Sequence, residues 1–287
     1  MSESMDVRLQ RRVQRYGWER AADAYARHWH GPLAGLHADL LARAAPVAGE
    51  AVLDVACGAG VVSIAAASAV GPTGHVLGVD LADAMVQAAR QRAKKLDLGQ
   101  TRFERMDAER LALPDAGFDI ALCVLGLMYV PDPDAALREL HRVLRPGGRV
   151  VLAVWGDRAR CGWAPLFDIV DAEVRSEVCP LFFGLGHGEL LARRCASVGL
   201  HVTAQRTRRD VLDYANADEA CAAAFAGGPV ALAWSRFDGK VRERVQARYL
   251  EAIAPWRDGG GYRVPAEYLI VAAQRSADAP EPASHSS

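Results

Sequence analysis

An α/β fold built on a parallel, doubly wound sheet is the fold class that the sequence predicts. Short apolar runs typical of strands alternate with helix-forming runs between residues 51 and 155, and this alternation indicates strand–helix–strand units. The first strand carries Asp54 near its end, and a Gly-x-Gly turn follows it. The predicted strands are 51–55, 75–80, 101–105, 118–124 and 149–155, and the helices among them are 61–69, 82–95 and 134–144.

Helical segments are predicted on both sides of this alternating region. Two helices precede it, over 7–29 and 33–44, and Gly31-Pro32 separates them. After Trp155 the predicted helices are 163–178, 189–197, 217–225, 230–237 and 240–253, and the predicted strands are 200–210 and 262–273. We therefore expect N-terminal helices at 1–48, an α/β core at 49–156, helical insertions at 157–262, a final strand at 263–275 and a disordered tail at 276–287.

Composition favours an ordinary soluble enzyme. The 287 residues are 51% hydrophobic and 24% charged, with a net charge of −1, so the overall balance points to neither nucleic acid nor an anionic membrane as a partner. A local basic run is expected to be a solvated helix face; it comprises Arg8, Arg11, Arg12, Arg15 and Arg20. No apolar run is long enough to span a membrane, and the first residues do not resemble a secretory signal, so a cytoplasmic location is expected.

The six cysteines are widely spaced and predict no metal site. None forms a Cys-x-x-Cys pair, and no histidine lies at zinc-ligand spacing from two cysteines. Buried free thiols are the expected state. Cys57, inside the glycine turn, is expected to fill a small space beside the backbone rather than to act as a nucleophile.

The turn at Gly58 and Gly60 predicts a nucleotide-like ligand, because glycine allows the backbone to approach closely and the next helix offers free N–H groups. Two ligand classes fit this pattern. Ser63 as the third small residue and Asp80, twenty residues after Gly60, leave a dinucleotide such as NAD open. Asp54 argues against it, since a carboxylate there would repel a pyrophosphate and would suit a cationic nucleoside.

Four motifs together resemble the class I S-adenosylmethionine (SAM)-dependent methyltransferases, in the branch of small-molecule enzymes related to the quinone-biosynthesis methyltransferases. They are Asp54-x-x-x-Gly58-x-Gly60, Gly78-Val79-Asp80, Met106-Asp107-Ala108 and Leu144-Arg145-Pro146-Gly147-Gly148. The match runs from about residue 51 to residue 155, and Ala56 departs from it where many members have glycine. The resemblance implies a Rossmann-like sheet of seven strands with the last one antiparallel, and a helical cap over the cofactor.

The resemblance also implies roles for individual residues toward SAM. Asp80 would accept hydrogen bonds from the ribose hydroxyls, Leu81 and Met85 would pack on the adenine, and Asp107 would accept from the adenine amino group beside the Ala108 N–H. Gly58 and Gly60 would admit the methionine portion, with its ammonium held by backbone carbonyls near Ala56 and Val124 in the field of Asp54. Tyr25 and Trp29, from the first helix, would fold over the cofactor.

The acceptor side of the site is less well determined. Methyl transfer from a sulfonium depends mainly on positioning, and a general base is needed only for an acceptor that is protonated. The candidate bases are Tyr129, His187, His201, and His28 or His30. Aromatic and apolar residues of the cap, which equally suit its own core, are candidates for the acceptor pocket; these are Met128, Trp163, Phe167, Phe182, Phe183 and Trp234.

The function predicted is methyl transfer from SAM to an oxygen, nitrogen or activated carbon of a small aromatic or apolar molecule. Two alternatives stay open at this point. One is a SAM-binding protein without catalytic activity, such as a sensor or partner subunit, and the other is an NAD-linked oxidoreductase. The acceptor and the oligomeric state are not determined by the sequence, although a homodimer is one candidate assembly.

Overall fold

An eight-stranded sheet forms the centre of the computed structural model, which describes residues 7–174 and 182–277. The strands are β1 (Ala51–Val55), β2 (His75–Asp80), β3 (Thr101–Arg105), β4 (Phe118–Val124), β5 (Leu144–Trp155), β6 (Leu200–Tyr214), β7 (Arg257–Asp258) and β8 (Gly261–Arg275). Their order is β3-β2-β1-β4-β5-β8-β6, with the two-residue β7 paired to β8. Strands β1 to β5 pair in parallel, and β8 runs antiparallel to both of its long neighbours. The predicted seven-stranded, doubly wound topology is confirmed, and β7 is an addition.

Ten α-helices in the described residues surround this sheet. They are α1 (Val7–His28), α2 (Ala34–Ala44), α3 (Val61–Val70), α4 (Asp83–Lys95), α5 (Pro133–Val143), α6 (Pro165–Asp171), α7 (Leu190–Ser197), α8 (Ala217–Cys221), α9 (Ala231–Arg236) and α10 (Gly239–Ile253). Most begin and end within two residues of their predicted bounds. The exceptions lie mainly in the second half of the chain.

Tertiary pairing explains where the predicted bounds were wrong. Strand β5 begins at Leu144 rather than 149, because Leu144 pairs with Phe118 of β4. Strand β6 runs to Tyr214 because β8 pairs with it along its whole length. The glycines at 259 and 260 form the turn of a hairpin that joins β7 to β8, with Gly259 at φ +56°. The predicted helix 217–225 is α8 followed by a π-helical turn at Ala222–Ala226, and α6 ends at Asp171, while 175–178 lie outside the described residues.

The central strands are apolar because both of their faces are covered. All five residues of β1 are buried, since β2 and β4 flank it and helices pack on both sides. The edge strand β3 buries only Phe103. The carboxyl ends of β1, β2 and β4 therefore project from a buried core, which holds them in fixed positions.

Two sets of contacts, one of hydrogen bonds and one of ion pairs, hold helix α1 across the carboxyl ends of the strands. The carboxylate oxygens of Glu19 accept hydrogen bonds from the backbone N–H groups of Asp83 and Ala84, at 2.7 and 2.9 Å. These are free N–H groups at the start of α4, so a side chain of α1 caps that helix. About two turns earlier in α1, Arg11 forms an ion pair with Glu109, and its Nε lies 3.1 Å from a carboxylate oxygen of Asp107.

Five of the six cysteines are buried free thiols, as predicted, and Cys179 lies outside the described residues. In the described part of the chain, no helix combines the length and apolar character needed to cross a bilayer. Nor do residues 7–174 and 182–277 gather three or more His, Cys, Asp or Glu side chains into a group that could hold a metal ion.

Candidate active site

Three neighbouring cavities open at the carboxyl ends of the central strands, and Tyr25 of helix α1 lines all of them. We call them the donor cleft, the histidine pocket and the aromatic pocket. The donor cleft lies between α1 and the ends of β1, β2 and β4 and measures about 760 Å³, including the part that is open to solvent. Its lining includes Val55, Ala56, Gly58, Val79, Asp80, Leu81, Met85, Met106, Asp107, Ala108, Val124, Leu125 and Gly126.

The turn after β1 forms one wall of the donor cleft. Ala56 and Gly58 adopt left-handed backbone conformations, with φ of 57° and 53°, a region of backbone space that favours glycine. Gly58 lies in the lining of the cleft, and a Cβ there would be 3.4 Å from the ring of Tyr25. Gly60 has a different role, because its Cβ would lie 2.8 Å from the Cβ of Ala89 in α4. Close packing of two helices requires glycine at 60.

Asp80 occupies the end of β2 at the floor of the donor cleft. One carboxylate oxygen accepts a hydrogen bond from the Gly58 N–H and the other from the Ala82 N–H, both at 2.9 Å. Burial raises the pKa of this carboxyl to about 6, and the backbone hydrogen bonds act in the opposite direction. Each oxygen keeps a free lone pair, so the carboxylate is oriented by the backbone and is still able to accept hydrogen bonds from a ligand.

Asp107 follows β3 and lines the donor cleft. Its carboxylate accepts from the Glu109 N–H at 3.0 Å and contacts Arg11. Arg11 also binds Glu109, whose side chain is only 4% exposed. The expectation of a fully solvated basic face on α1 is therefore wrong for Arg11, because two carboxylates draw it into the lining of the cleft.

The histidine pocket, of about 410 Å³, adjoins the donor cleft and shares Tyr25, Ala56 and Val124 with it. Asp54 lines this pocket and is 1% exposed. Its carboxylate accepts a hydrogen bond from Ser63 Oγ at 2.5 Å. Burial raises its pKa to about 7, against the opposing effect of this bond. His30 and His37 complete the polar lining.

The aromatic pocket, of about 330 Å³, lies on the other side of Tyr25 and shares Trp18, Tyr25, Leu125 and Tyr129 with the donor cleft. Its lining is Trp18, Tyr25, Trp29, Leu33, Leu125, Tyr129, Trp155, Trp163, Gly227, Gly228 and Pro229, which includes no charged side chain. The ring centroids of Trp155 and Trp163 are 4.6 Å apart, and the Trp29 indole is fixed by a hydrogen bond to the Ala223 carbonyl. The pocket is thus an apolar space lined mainly by aromatic rings.

The cofactor residues predicted from the sequence, apart from Gly60, line one or more of these three cavities. Those that line the donor cleft are Tyr25, Ala56, Gly58, Asp80, Leu81, Met85, Asp107, Ala108 and Val124. Asp54 lines the histidine pocket, and Trp29 lines the aromatic pocket. Trp18, Gln14 and Glu109 also line the donor cleft, and the sequence analysis did not predict them as cofactor residues. The only sequence signal for a place in the site was that they belong to the first helix or to the loop after Asp107.

The predicted acceptor-pocket residues are scattered. Trp163 lines the aromatic pocket. Phe167, Phe182 and Phe183 do not line it but pack against the Trp163 ring, with ring centroids 5.6 to 5.8 Å from the Trp163 centroid. Met128 is fully buried in the core, and Trp234 stacks on Phe225 at 4.9 Å. The sequence analysis missed Trp18, Trp155 and the loop 227–229, because no local pattern distinguishes a pocket-lining tryptophan from a core one.

Two of the candidate bases line a cavity, and the other three do not. Tyr129 lines both the donor cleft and the aromatic pocket, and its ring contacts Trp18 at 5.1 Å. His30 lines the histidine pocket. His187 and His201 are exposed, His28 is half-buried, and none of these three lines any of the three cavities.

Comparison with known proteins agrees with this geometry. A demethylmenaquinone methyltransferase from Listeria welshimeri is 38% identical over 120 residues, which cover 42% of this chain and 51% of the relative. The chain thus spans about half the length of the curated relatives it matches. Among solved structures, the YcgJ protein of Bacillus subtilis aligns with a TM-score of 0.57 at 20% identity, covering 86% of this chain and 99% of that one.

A geranyl diphosphate C-methyltransferase from Streptomyces coelicolor, solved with Mg²⁺, geranyl diphosphate and S-adenosyl-L-homocysteine, aligns with a TM-score of 0.51 at 16% identity. That alignment covers 84% of this chain and 80% of the other. Finally, residues 46–172, which contain β1 to β5 and the walls of the donor cleft, match the family described as a methyltransferase domain. The chain is therefore similar to this family over residues 46–172.

Proposed function

We propose that this protein is a SAM-dependent methyltransferase that acts on a small, neutral, flat or apolar molecule. The observation that carries this proposal is the junction of two chemically different cavities at Tyr25 and Tyr129. The donor cleft offers carboxylates and backbone groups suited to a nucleoside, and the aromatic pocket offers only rings and aliphatic surface. A methyl donor and a carbon-rich acceptor placed in these cavities would meet at the shared residues.

The residues of the donor cleft suit SAM in three respects. Asp80 is oriented by two backbone N–H groups and retains acceptor capacity for the ribose hydroxyls. Leu81, Met85 and Met106 line the same cleft and would provide an apolar wall for the adenine, and Asp107 would accept a hydrogen bond from its amino group. The backbone at Gly58 leaves room that a side chain would reduce against Tyr25.

When bound, SAM would supply a methyl group that is already activated, so the chain's task is to orient, desolvate and enclose. Trp18, Tyr25 and Tyr129 form the boundary between the two cavities and would exclude water from it. Burial and the neighbouring carboxylates of Asp80 and Asp54 raise the pKa of Tyr25 above its ordinary value. Tyr25 therefore remains a phenol at neutral pH and serves as a hydrogen-bond donor rather than as a base.

Features of the aromatic pocket favour a ring that carries an oxygen as the acceptor. Its lining has no charged group, so a phosphorylated or zwitterionic acceptor would lose its hydration without compensation. The indole N–H of Trp163 is buried and has no hydrogen-bond partner among the described residues. A carbonyl or hydroxyl oxygen on the acceptor would satisfy it. The quinone ring named in the demethylmenaquinone methyltransferase relatives has this chemistry.

The test has two stages. Calorimetry with S-adenosylhomocysteine and with NAD should show binding of the first only. Incubation with methyl-labelled SAM and a panel of naphthols, hydroquinones and aliphatic amines should then transfer label to the oxygen-bearing rings. Binding of S-adenosylhomocysteine without transfer to any compound would favour a non-catalytic SAM-binding protein, and binding of NAD alone would overturn the proposal. The cytoplasmic location and the homodimer stay predictions of the sequence.

A further inference from the structure

The N-terminal arm of α1, defined here as residues 7–16, covers part of the donor cleft and is fastened at Glu109. Arg11 and Gln14 of this arm line the cleft. One carboxylate oxygen of Glu109 accepts a hydrogen bond from Arg11 Nε, and the other accepts from the Asp132 N–H at 2.8 Å. Glu109 therefore ties the arm to the loops that follow β3 and β4, both of which line the same cleft.

The two loops are fixed to helix α5, whereas the link to the arm is partly open to solvent. Glu139 of α5 accepts a hydrogen bond from the Leu111 N–H at 2.7 Å, and the Asp132 carboxylate caps the N-terminus of α5. The side chain of Arg11 is 37% exposed, against 4% for Glu109. Water and salt ions reach the ion pair from the arm side and weaken it, so the arm separates from the loops more easily than the loops separate from α5.

Gly17 lies at the boundary between this arm and the anchored remainder of α1. Beyond it, Glu19 caps α4, and the Trp29 indole donates a hydrogen bond to the Ala223 carbonyl. Among the described residues, a Cβ at position 17 would meet only the Leu232 side chain, at 3.9 Å, which is an ordinary contact distance. Packing therefore does not require glycine here, and a glycine inside a helix makes that turn less stable than alanine would.

Two polar atoms of the arm are left without partners when the arm is closed. Gln10 Oε1 and Arg15 Nε are buried and have no hydrogen-bond partner among the described residues. Burial of such atoms is unfavourable, and movement of the arm into solvent would hydrate them. The closed position is thus opposed by a desolvation cost, which is the balance expected of a segment that opens and closes.

We propose that residues 7–16 form a gate over the donor cleft, with the Arg11–Glu109 ion pair as its latch and Gly17 as its pivot. This inference rests on the proposed function, because SAM is the molecule that would pass the gate. Opening would widen the cleft for entry and release of the donor, and closing would exclude water from it. Arg11 and Glu109 are positioning residues in this assignment and take no part in methyl transfer itself.

The test measures the rates at which S-adenosylhomocysteine binds and leaves, by stopped-flow fluorescence with Trp18 in the cleft as the reporter. Arg11→Met keeps the apolar stem of the side chain, and Glu109→Gln keeps an acceptor for the Asp132 N–H. Because a gate limits passage in both directions, each variant should raise both the association and the dissociation rate constant by about fivefold. Gly17→Ala, which stiffens the pivot, should lower both rate constants by about threefold.

A second measurement needs no variant. S-Adenosylhomocysteine has no net charge, so salt acts on its binding mainly through contacts within the protein. Both rate constants of the unaltered protein should therefore rise as the ionic strength increases from about 0.05 M to about 0.5 M, and in Arg11→Met this rise should be lost. Rate constants of the unaltered protein that do not rise with salt would overturn the inference even if the variants failed to fold.

Arg12→Met, at an exposed arginine next to the latch, is the matched control and should change neither rate constant. A rise in dissociation alone for Arg11→Met would show a contact that only stabilises the bound state, and unchanged rates in Arg11→Met or Gly17→Ala would remove the latch or the pivot. Each of these results would overturn the inference and leave the proposed function standing. Failure of the unaltered protein to bind S-adenosylhomocysteine would overturn the proposed function, and the inference with it.

Discussion

The donor cleft and the aromatic pocket share one boundary but are built in opposite ways. The donor cleft takes its walls chiefly from the ends of β1, β2 and β4 and the turns that follow them, all within residues 55–131, with α1 as its cover. The aromatic pocket collects side chains from four segments that are far apart in the chain, around residues 18–33, 125–129, 155–163 and 227–229. The first depends on backbone geometry, and the second depends on how helices pack.

This difference separates two kinds of function. Parallel strands end at one edge of a sheet, so acids placed at strand ends converge for any sequence that folds this way. The aromatic pocket exists only because α1 approaches the 227–229 loop closely: a Cβ at Gly227 would lie 3.0 Å from the backbone of Ala24 and Tyr25. Donor recognition is thus fixed by the sheet, while acceptor shape is set by contacts that the sheet does not control.

The largest effect is expected from Asp80→Ala, which removes the oriented carboxylate from the donor cleft. Loss of two charge-assisted hydrogen bonds to the ribose should weaken S-adenosylhomocysteine binding by about 100-fold or more. Calorimetry measures this, with circular dichroism to confirm folding. Asp83→Ala, an exposed acid three residues later, should bind as the unaltered protein does. Unchanged affinity in Asp80→Ala would remove the ribose assignment.

The second prediction concerns stability and pH. Asp54 has a pKa of about 7 in the folded protein, above its unfolded value of 3.8. The folded state therefore holds a proton that the unfolded state releases between these values, and stability from this group falls as pH rises. The free energy of unfolding of the unaltered protein, relative to Asp54→Asn, should decrease by roughly 3 kcal/mol between pH 5 and pH 8.

Urea denaturation of both proteins without ligand at the two pH values gives this difference. Asp97→Asn, at an exposed turn position, is the control and should track the unaltered protein at both pH values. The difference in free energy of unfolding between the unaltered protein and Asp54→Asn could instead stay constant with pH or change in the opposite direction. Either result would show that the pKa of Asp54 is not raised in the folded protein.

Trp163→Leu should affect the acceptor side alone. Removing the ring and the indole N–H from the aromatic pocket should lower kcat/KM for the acceptor by roughly tenfold while the affinity for S-adenosylhomocysteine stays within about twofold. Trp256→Leu, at a half-buried tryptophan outside the three cavities, is the matched control. An equal fall in donor affinity would show that the two cavities are one energetic unit.

The smallest effect is expected from Glu19→Ala, which loosens the helix common to both cavities. Loss of the cap that Glu19 places on α4 should lower the free energy of unfolding by about 1 kcal/mol and raise amide hydrogen exchange across residues 7–28. Asp23→Ala, an exposed acid one turn later in α1, should leave the exchange unchanged. If exchange in Glu19→Ala equals that of the control, other contacts hold α1 in place.

The accuracy of the sequence predictions follows the same division. β1, β2 and β4 begin and end where the apolar runs do, because a strand buried on both faces needs an unbroken apolar stretch. Leu144–Gly148 precedes the predicted strand 149–155, yet it belongs to β5 because Leu144 pairs with Phe118 of β4. Phe167 and Trp163 are equally apolar in sequence, but only Trp163 lines the aromatic pocket. Burial is visible in composition, whereas the direction in which a buried ring faces is not.

The sequence by itself determined the positions of the central strands along the chain, the acids at their ends and the glycine turn, because each is encoded in a few consecutive residues. Only the tertiary structure decided that Asp54 and His37 line one pocket, that Arg11 turns inward to Asp107, and that tryptophans from distant segments form another pocket. The physical reason is the range of the interactions. Backbone pairing and turn geometry are local, while helix packing brings together residues more than a hundred positions apart, and no short pattern records which side chains meet there.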